Sequence, residues 1–107
     1  MGPKEFAEAC REERDALFSS FTSSSGDGAV AVQLAAANLS PSQREHVCAA
    51  IGMALTDTFY TILLALDGSA SLGGIQHSFK LTDEGGETVA NGDGRLEAAA
   101  WEALQAD

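Results

Sequence analysis

Positive charge is what this chain has least of: six lysines and arginines stand against sixteen aspartates and glutamates, a formal net charge of −10 over 107 residues. Phosphate backbones and anionic lipid surfaces repel such a chain at physiological ionic strength, so direct nucleic-acid binding and electrostatic membrane attachment are excluded. Cysteine is nearly as scarce. Cys10 and Cys48 are the only two, too few for a disulfide framework and not spaced as C-x-x-C, which fits a reducing compartment.

Several chemistries lack their residues. Gly68, Gly73 and Gly74 do not form G-x-G-x-x-G, and no lysine follows them as a phosphate loop requires. His46 has Ala50 one helical turn on and Cys10 has Glu13 and Arg14, so no pair of strong ligands shares a helix face, and His77 falls on the inward register of a strand, where it reads as a core or rim histidine; neither a metal nor a cofactor is expected. Cys48 sits two positions after His46 and points away from it on a helix. Asp57 lies about 16 Å along the axis from His46, so no nucleophile–base relay forms within that stretch. A non-enzyme is the favoured expectation.

What is present suits folding. Hydrophobic residues make up 45% and charged residues 21% of the chain, the composition of an ordinary globular protein, and the length fits one domain spanning residues 1–107. Phe6, Cys10, Leu17 and Phe21 recur at helical spacing behind Pro3, which suits a first helical turn. The polar run Ser23–Gly28 reads as a linker. Residues 29–37 alternate as a strand would at Val30, Val32 and Leu34, but their alanines and a possible Asp27 cap favour a short helix.

Ser40, Pro41 and Gln43 form an S-x-x-Q capping box with proline at the first helical position, so a long helix starts there and runs to Leu66, before Asp67-Gly68. Ile51, Leu55, Phe59, Ile62 and Leu66 share one apolar face. His46, Met53, Asp57, Tyr60 and Leu64 form a second stripe, so both sides are expected to be covered. The twenty residues Val47–Leu66 are long enough to cross a bilayer. Asp57 at their centre costs about 2.5–3.5 kcal/mol there, and Gly52, Thr56, Thr58 and Thr61 dilute the rest, so a buried or interfacial helix is expected instead of a membrane span.

Ile75, His77, Phe79 and Leu81 alternate with Gln76, Ser78, Lys80 and Thr82, the period of a half-buried strand. Asp83–Gly86 makes a turn, and Glu87–Ala90 returns as a shorter strand. Leu96, Ala100 and Leu104 then mark a final short helix that also carries Trp101. The order predicts an α+β fold, mainly helical, with one long central helix, a hairpin in the C-terminal half and a short last helix. A two-stranded hairpin is marginal alone, so it must pack Ile75, Phe79 and Leu81 on the long helix or extend a sheet with another copy.

Three candidate sites follow. Met53, Tyr60 and Leu64 on the second stripe are the expected interface of a homodimer. Asp83, Glu84, Glu87, Asp93 and Glu97 concentrate acid in the last quarter of the chain and offer a docking face for a basic protein. Asp57, Tyr60 and His77 are the candidate lining of a pocket between the long helix and the hairpin, the alternative being a small-molecule-binding domain or an enzyme.

The run Phe59-Tyr60-Thr61-Ile62-Leu63-Leu64-Ala65-Leu66-Asp67-Gly68-Ser69, followed by a hairpin and Gly94-Arg95-Leu96-Glu97, resembles small acidic bacterial domains, some of toxin-immunity type. The resemblance covers roughly the second half of the chain. It implies a compact acidic bacterial protein that binds another protein, with no catalytic residues to carry over. The start Met1–Glu5 lacks a basic segment followed by an apolar core, so a cytoplasmic, protein-binding module, in the form of an immunity protein or regulatory inhibitor, is the expectation.

Overall fold

The computed structural model describes residues 1–106. Four helices and one antiparallel hairpin follow in the order α1 (Pro3–Phe21), α2 (Ala29–Ala36), α3 (Pro41–Leu66), β1 (Leu81–Thr82), β2 (Thr88–Ala90) and α4 (Arg95–Leu104), an α+β arrangement. The local signals act as their chemistry dictates. Pro3 and Pro41 occupy first turns, where the missing N–H costs nothing. Ser40 Oγ accepts from the Gln43 N–H at 3.2 Å while Gln43 Oε1 accepts from the Ser40 N–H at 2.9 Å, which closes the capping box. Residues 29–36 are helical, with Gly28 rather than Asp27 at the cap position.

The core gathers where α1, α4, β2 and the last two turns of α3 meet. Ala7, Leu63, Val89, Ala90, Leu96, Ala100 and Leu104 are buried there, and Phe6, Phe59, Tyr60, Leu66 and Leu81 pack around them. Small residues at Ala7 and Ala100 let α1 and α4 approach closely, while the fully buried Leu63 and Leu96 each contribute about 2 kcal/mol of transfer free energy.

One buried polar residue ties the helices together. Asp67, only 4% exposed, ends α3, and its carboxylate accepts from the Gly92 N–H at 3.2 Å and the Glu97 N–H at 2.9 Å. Glu97 is the third residue of α4, so Asp67 supplies from 30 positions away the cap that Gly94 has no side chain to give. The negative end of α3 disfavours a carboxylate, and the positive end of α4 offsets it. Gly68 makes this possible by turning the chain at φ 81°, a conformation costly for other residues. A Cβ on Gly68 would meet Ser78 Oγ at 3.1 Å.

Two expectations are corrected. The strand expected over 75–82 is paired only at Leu81–Thr82, with Ala90 and Thr88 opposite. Gly73 and Gly74, both at positive φ, fold Leu72 back on Ile75, and beyond Ala90 the chain turns away, so residues 76–80 find no partner strand. Ile75 and Phe79 therefore lie 60% and 40% exposed instead of packing on α3. The long helix is also not covered on both sides. Its neighbours lie on the side carrying Phe59, Leu63 and Leu66, which leaves Ile62 and Met53 in solvent. By length and composition α3 is apolar enough to cross a membrane, yet almost none of its apolar stretch is buried within the chain.

The outcome is an elongated molecule. Its radius of gyration is 16.3 Å, against about 13 Å for a compact domain of this length. Its accessible surface is 6786 Å², whereas a folded monomer of this mass exposes about 5,650 Å².

Asp67→Ala is expected to lower the unfolding free energy by about 2–4 kcal/mol, because two charge-assisted bonds and a helix cap are lost together. Asp67→Asn, which keeps one acceptor oxygen, should lose roughly half of that. Urea denaturation measures both, and a loss below about 0.5 kcal/mol for the alanine variant would remove Asp67 from this role.

Candidate functional site

A cleft of about 580 Å³ opens between α1, α3 and the end of α4. From α1 come Arg14, Asp15 and Phe18, one turn apart. Cys48, Ala49, Gly52, Met53, Thr56 and Asp57 come from α3 at three- and four-residue spacing, and Gln105 closes the far wall. Arg14 is pinned in place: Nη1 donates to Thr56 Oγ1 at 3.1 Å, and Nε donates to Asp15 Oδ1 at 3.0 Å. Its charge is thus neutralised by a carboxylate on its own helix, while Asp57 on the opposite rim joins no ion pair among the described residues.

A second, smaller concavity lies farther along α3, at its seam with α4. It is lined by Tyr60, Gly94, Glu97, Ala98 and Trp101. The two helices run antiparallel here, since Asp67 binds the start of α4 and Gln105 reaches the middle of α3. Tyr60 and Trp101 meet edge to face, their ring centroids 6.4 Å apart, which fixes the indole on the surface instead of in the core. Met53 at 69% and Trp101 at 56% exposure flank the seam. Large apolar side chains held this open mark association surfaces.

The sequence-derived candidates are distributed unevenly over this geometry. Of Met53, Tyr60 and Leu64, only Met53 is exposed; the other two are half-buried. Asp57, Tyr60 and His77 do not share a cavity. Asp57 lines the large cleft, Tyr60 the smaller one, and His77 stands on the exposed 71–80 segment outside both. The acidic set is largely engaged in holding its own loops. Asp83 Oδ1 accepts from the N–H groups of Gly85 and Glu87 at 3.0 and 2.8 Å, and its Oδ2 takes the Met1 amine at 2.6 Å. Glu87 pairs with the same amine. Asp93 accepts from the Arg95 N–H at 3.1 Å and pairs with its side chain. Glu84 and Glu97 enter no ion pair among the described residues.

Arg14 and Phe18 escaped the sequence reading as cleft residues, and Gly52 entered it only as a break in the hydrophobicity of the long helix. An isolated glycine inside an apolar helix was the available signal, since it marks a place where another element approaches. Here a Cβ at Gly52 would stand 3.9 Å from the Phe18 ring. Neither cysteine is bridged. Burial raises the Cys10 thiol above its ordinary pKa, which keeps it protonated and unreactive. Among the described residues no three metal-ligating side chains cluster.

Two predictions follow. The 3.9 Å clearance at Gly52 admits a methyl group, so Gly52→Ala should stabilise the protein by about 0.5–1 kcal/mol through helix propensity alone; destabilisation in urea would mean the cleft is narrower than described. Hydrogen bonds to Asp83 and then Glu87 raise the Met1 amine from 8.0 to about 10, and the amine, followed by the Glu87 N–H, lowers Asp83 from 3.8. The stabilisation from the amine is complete below pH 8.0 and lost as pH rises through about 10; that from Asp83 is present above 3.8 and lost on acidification. Acetylating the amine should abolish the alkaline loss, read as urea midpoints on either side of about pH 9.

No family model matches this chain, and neither the curated proteins nor the solved structures contain a match.

Proposed function

We propose that this protein is a cytoplasmic protein-binding module, in the form of a regulatory inhibitor or immunity protein, that receives the apolar side chains of a basic or mixed-charge partner in the α3–α4 seam. The observation that carries this reading is the pairing of exposed Met53 and Trp101 with a rim bearing the carboxylates of Asp57 and Glu97. A tryptophan held rigidly beside a cleft is the kind of side chain that dominates interface energetics. The two rim carboxylates supply a preference for lysine or arginine flanking the inserted groups.

Charge selects among occupants. A second copy would bring its own Asp57 and Glu97 and a further ten negative charges to the same seam, and an anionic lipid surface meets the same repulsion. A partner with basic residues around an apolar anchor meets neither. The remaining acid of the hairpin, with Glu84 unpaired at its tip, extends the attractive field without being the contact itself.

The test is a quantitative capture from the source cell with wild-type, Met53→Asp and Trp101→Ala baits. One partner should be retained by the wild type, weakened about 30-fold by Trp101→Ala and released by raised salt. Equal recovery on all three baits would overturn the reading, as would binding of neutral lipid vesicles in place of any protein.

A further inference from the structure

Residues 71–80 are exposed throughout and are built in an unusual way. Leu72 and Ile75 exchange main-chain hydrogen bonds at 2.8 and 3.1 Å across Gly73-Gly74, with φ 62° and 82°, the positive-φ pair of a tight hairpin turn. The chain leaves this turn extended and runs into β1. Between Gln76 and Lys80, however, no main-chain N–H or C=O bonds to another main-chain group of the described residues. The stretch is held from the side instead. Gln76 Nε2 donates to the Gly68 carbonyl at 2.8 Å, and Ser78 sits against Gly68 and Gly92, where any Cβ would come within 3.1 and 3.3 Å of its hydroxyl. The result is an anchored segment with unpaired backbone polar groups, along which Ile75 and Phe79 are both exposed and are spaced to share one face when it pairs as a strand.

We propose that this edge is where two copies of the protein pair, antiparallel, strand 75–80 to strand 75–80. Three observations select a second copy as the occupant. Fifteen consecutive residues from Gly68 to Thr82 contain no acidic side chain, in a chain that carries sixteen, so two copies meeting along this strip bring no carboxylates of the strip against each other. A two-fold axis through His77 sets Ile75 opposite the second copy's Phe79 and the reverse, two apolar cross-strand pairs from one short segment. The same axis sends the acidic hairpin tips that begin at Asp83 to opposite ends, about 40 Å apart at strand rise, well beyond the screening length. Uncovered, an apolar edge of this kind promotes aggregation, and Lys80 is the single charge guarding it.

The inference is independent of the α3–α4 seam, which stays open in such a dimer. Sedimentation of the wild-type chain should give roughly twice its 11.1 kDa mass. The variant carrying Ile75→Lys and Phe79→Lys should sediment as a monomer with unchanged circular dichroism, and Met53→Asp should remain dimeric. Amide exchange at residues 76–80 should slow roughly tenfold or more as concentration is raised. A wild-type monomer at every soluble concentration overturns the proposal, as does a dimer that survives both lysines, dissociates with Met53→Asp, or leaves these amides exchanging freely.

Discussion

The carboxylate of Asp67 is the constraint on which the rest of the architecture depends. It lies buried at the point where α3 stops, and it binds the N–H groups of Gly92 and Glu97, so that the end of one helix serves as the cap of the next. That single residue sets α4 antiparallel to α3 and fixes its starting point. From there Trp101 falls beside Tyr60 and Gln105 beside the middle of α3. The seam proposed for binding is a consequence of this anchoring, and Gly68 and Gly92, which leave room for Ser78, lock the 76–80 strand against the same corner.

Anchoring at one end explains why the molecule is long. Only the last two turns of α3 enter the main core; the preceding turns lean on α1. Arg14 reaches Thr56, and Arg44 donates to the Thr22 carbonyl at 2.6 Å, polar ties that hold position without excluding water. The helix keeps an apolar composition that its own chain does not cover. Two separate uncovered surfaces result. The seam is rimmed by acid and suits a foreign, basic partner, while the strand edge lacks acid and suits a copy of the chain. Charge, not hydrophobicity, distinguishes them.

Much of the helical framework was legible locally. The Ser40–Gln43 box, the prolines at first turns and the Asp67-Gly68 stop all act within a few residues, and the helical periodicity of α1 and α4 reports one buried face each. The alternation over 75–81 reads as a half-buried strand, but residues 76–80 are exposed and unpaired, because strand pairing depends on what lies opposite, and β2 is too short to reach them. Ile62 was placed on the covered face for a related reason: periodicity shows which residues share a face, not which face finds a neighbour. The cap from Asp67 to Glu97 spans 30 positions and leaves no local trace. The cleft joins residues from α1, α3 and α4, so Arg14 and Phe18 carried no mark beyond the lone glycine opposite them.

Trp101 is the single tryptophan of the chain, which makes its fluorescence the most direct probe of the claim that the seam stands open. In the isolated protein the account predicts a red-shifted, solvent-type emission that acrylamide quenches fully, and a blue shift with loss of quenching when a partner is added. A blue-shifted, shielded indole in the isolated protein would show the seam already filled and contradict the account.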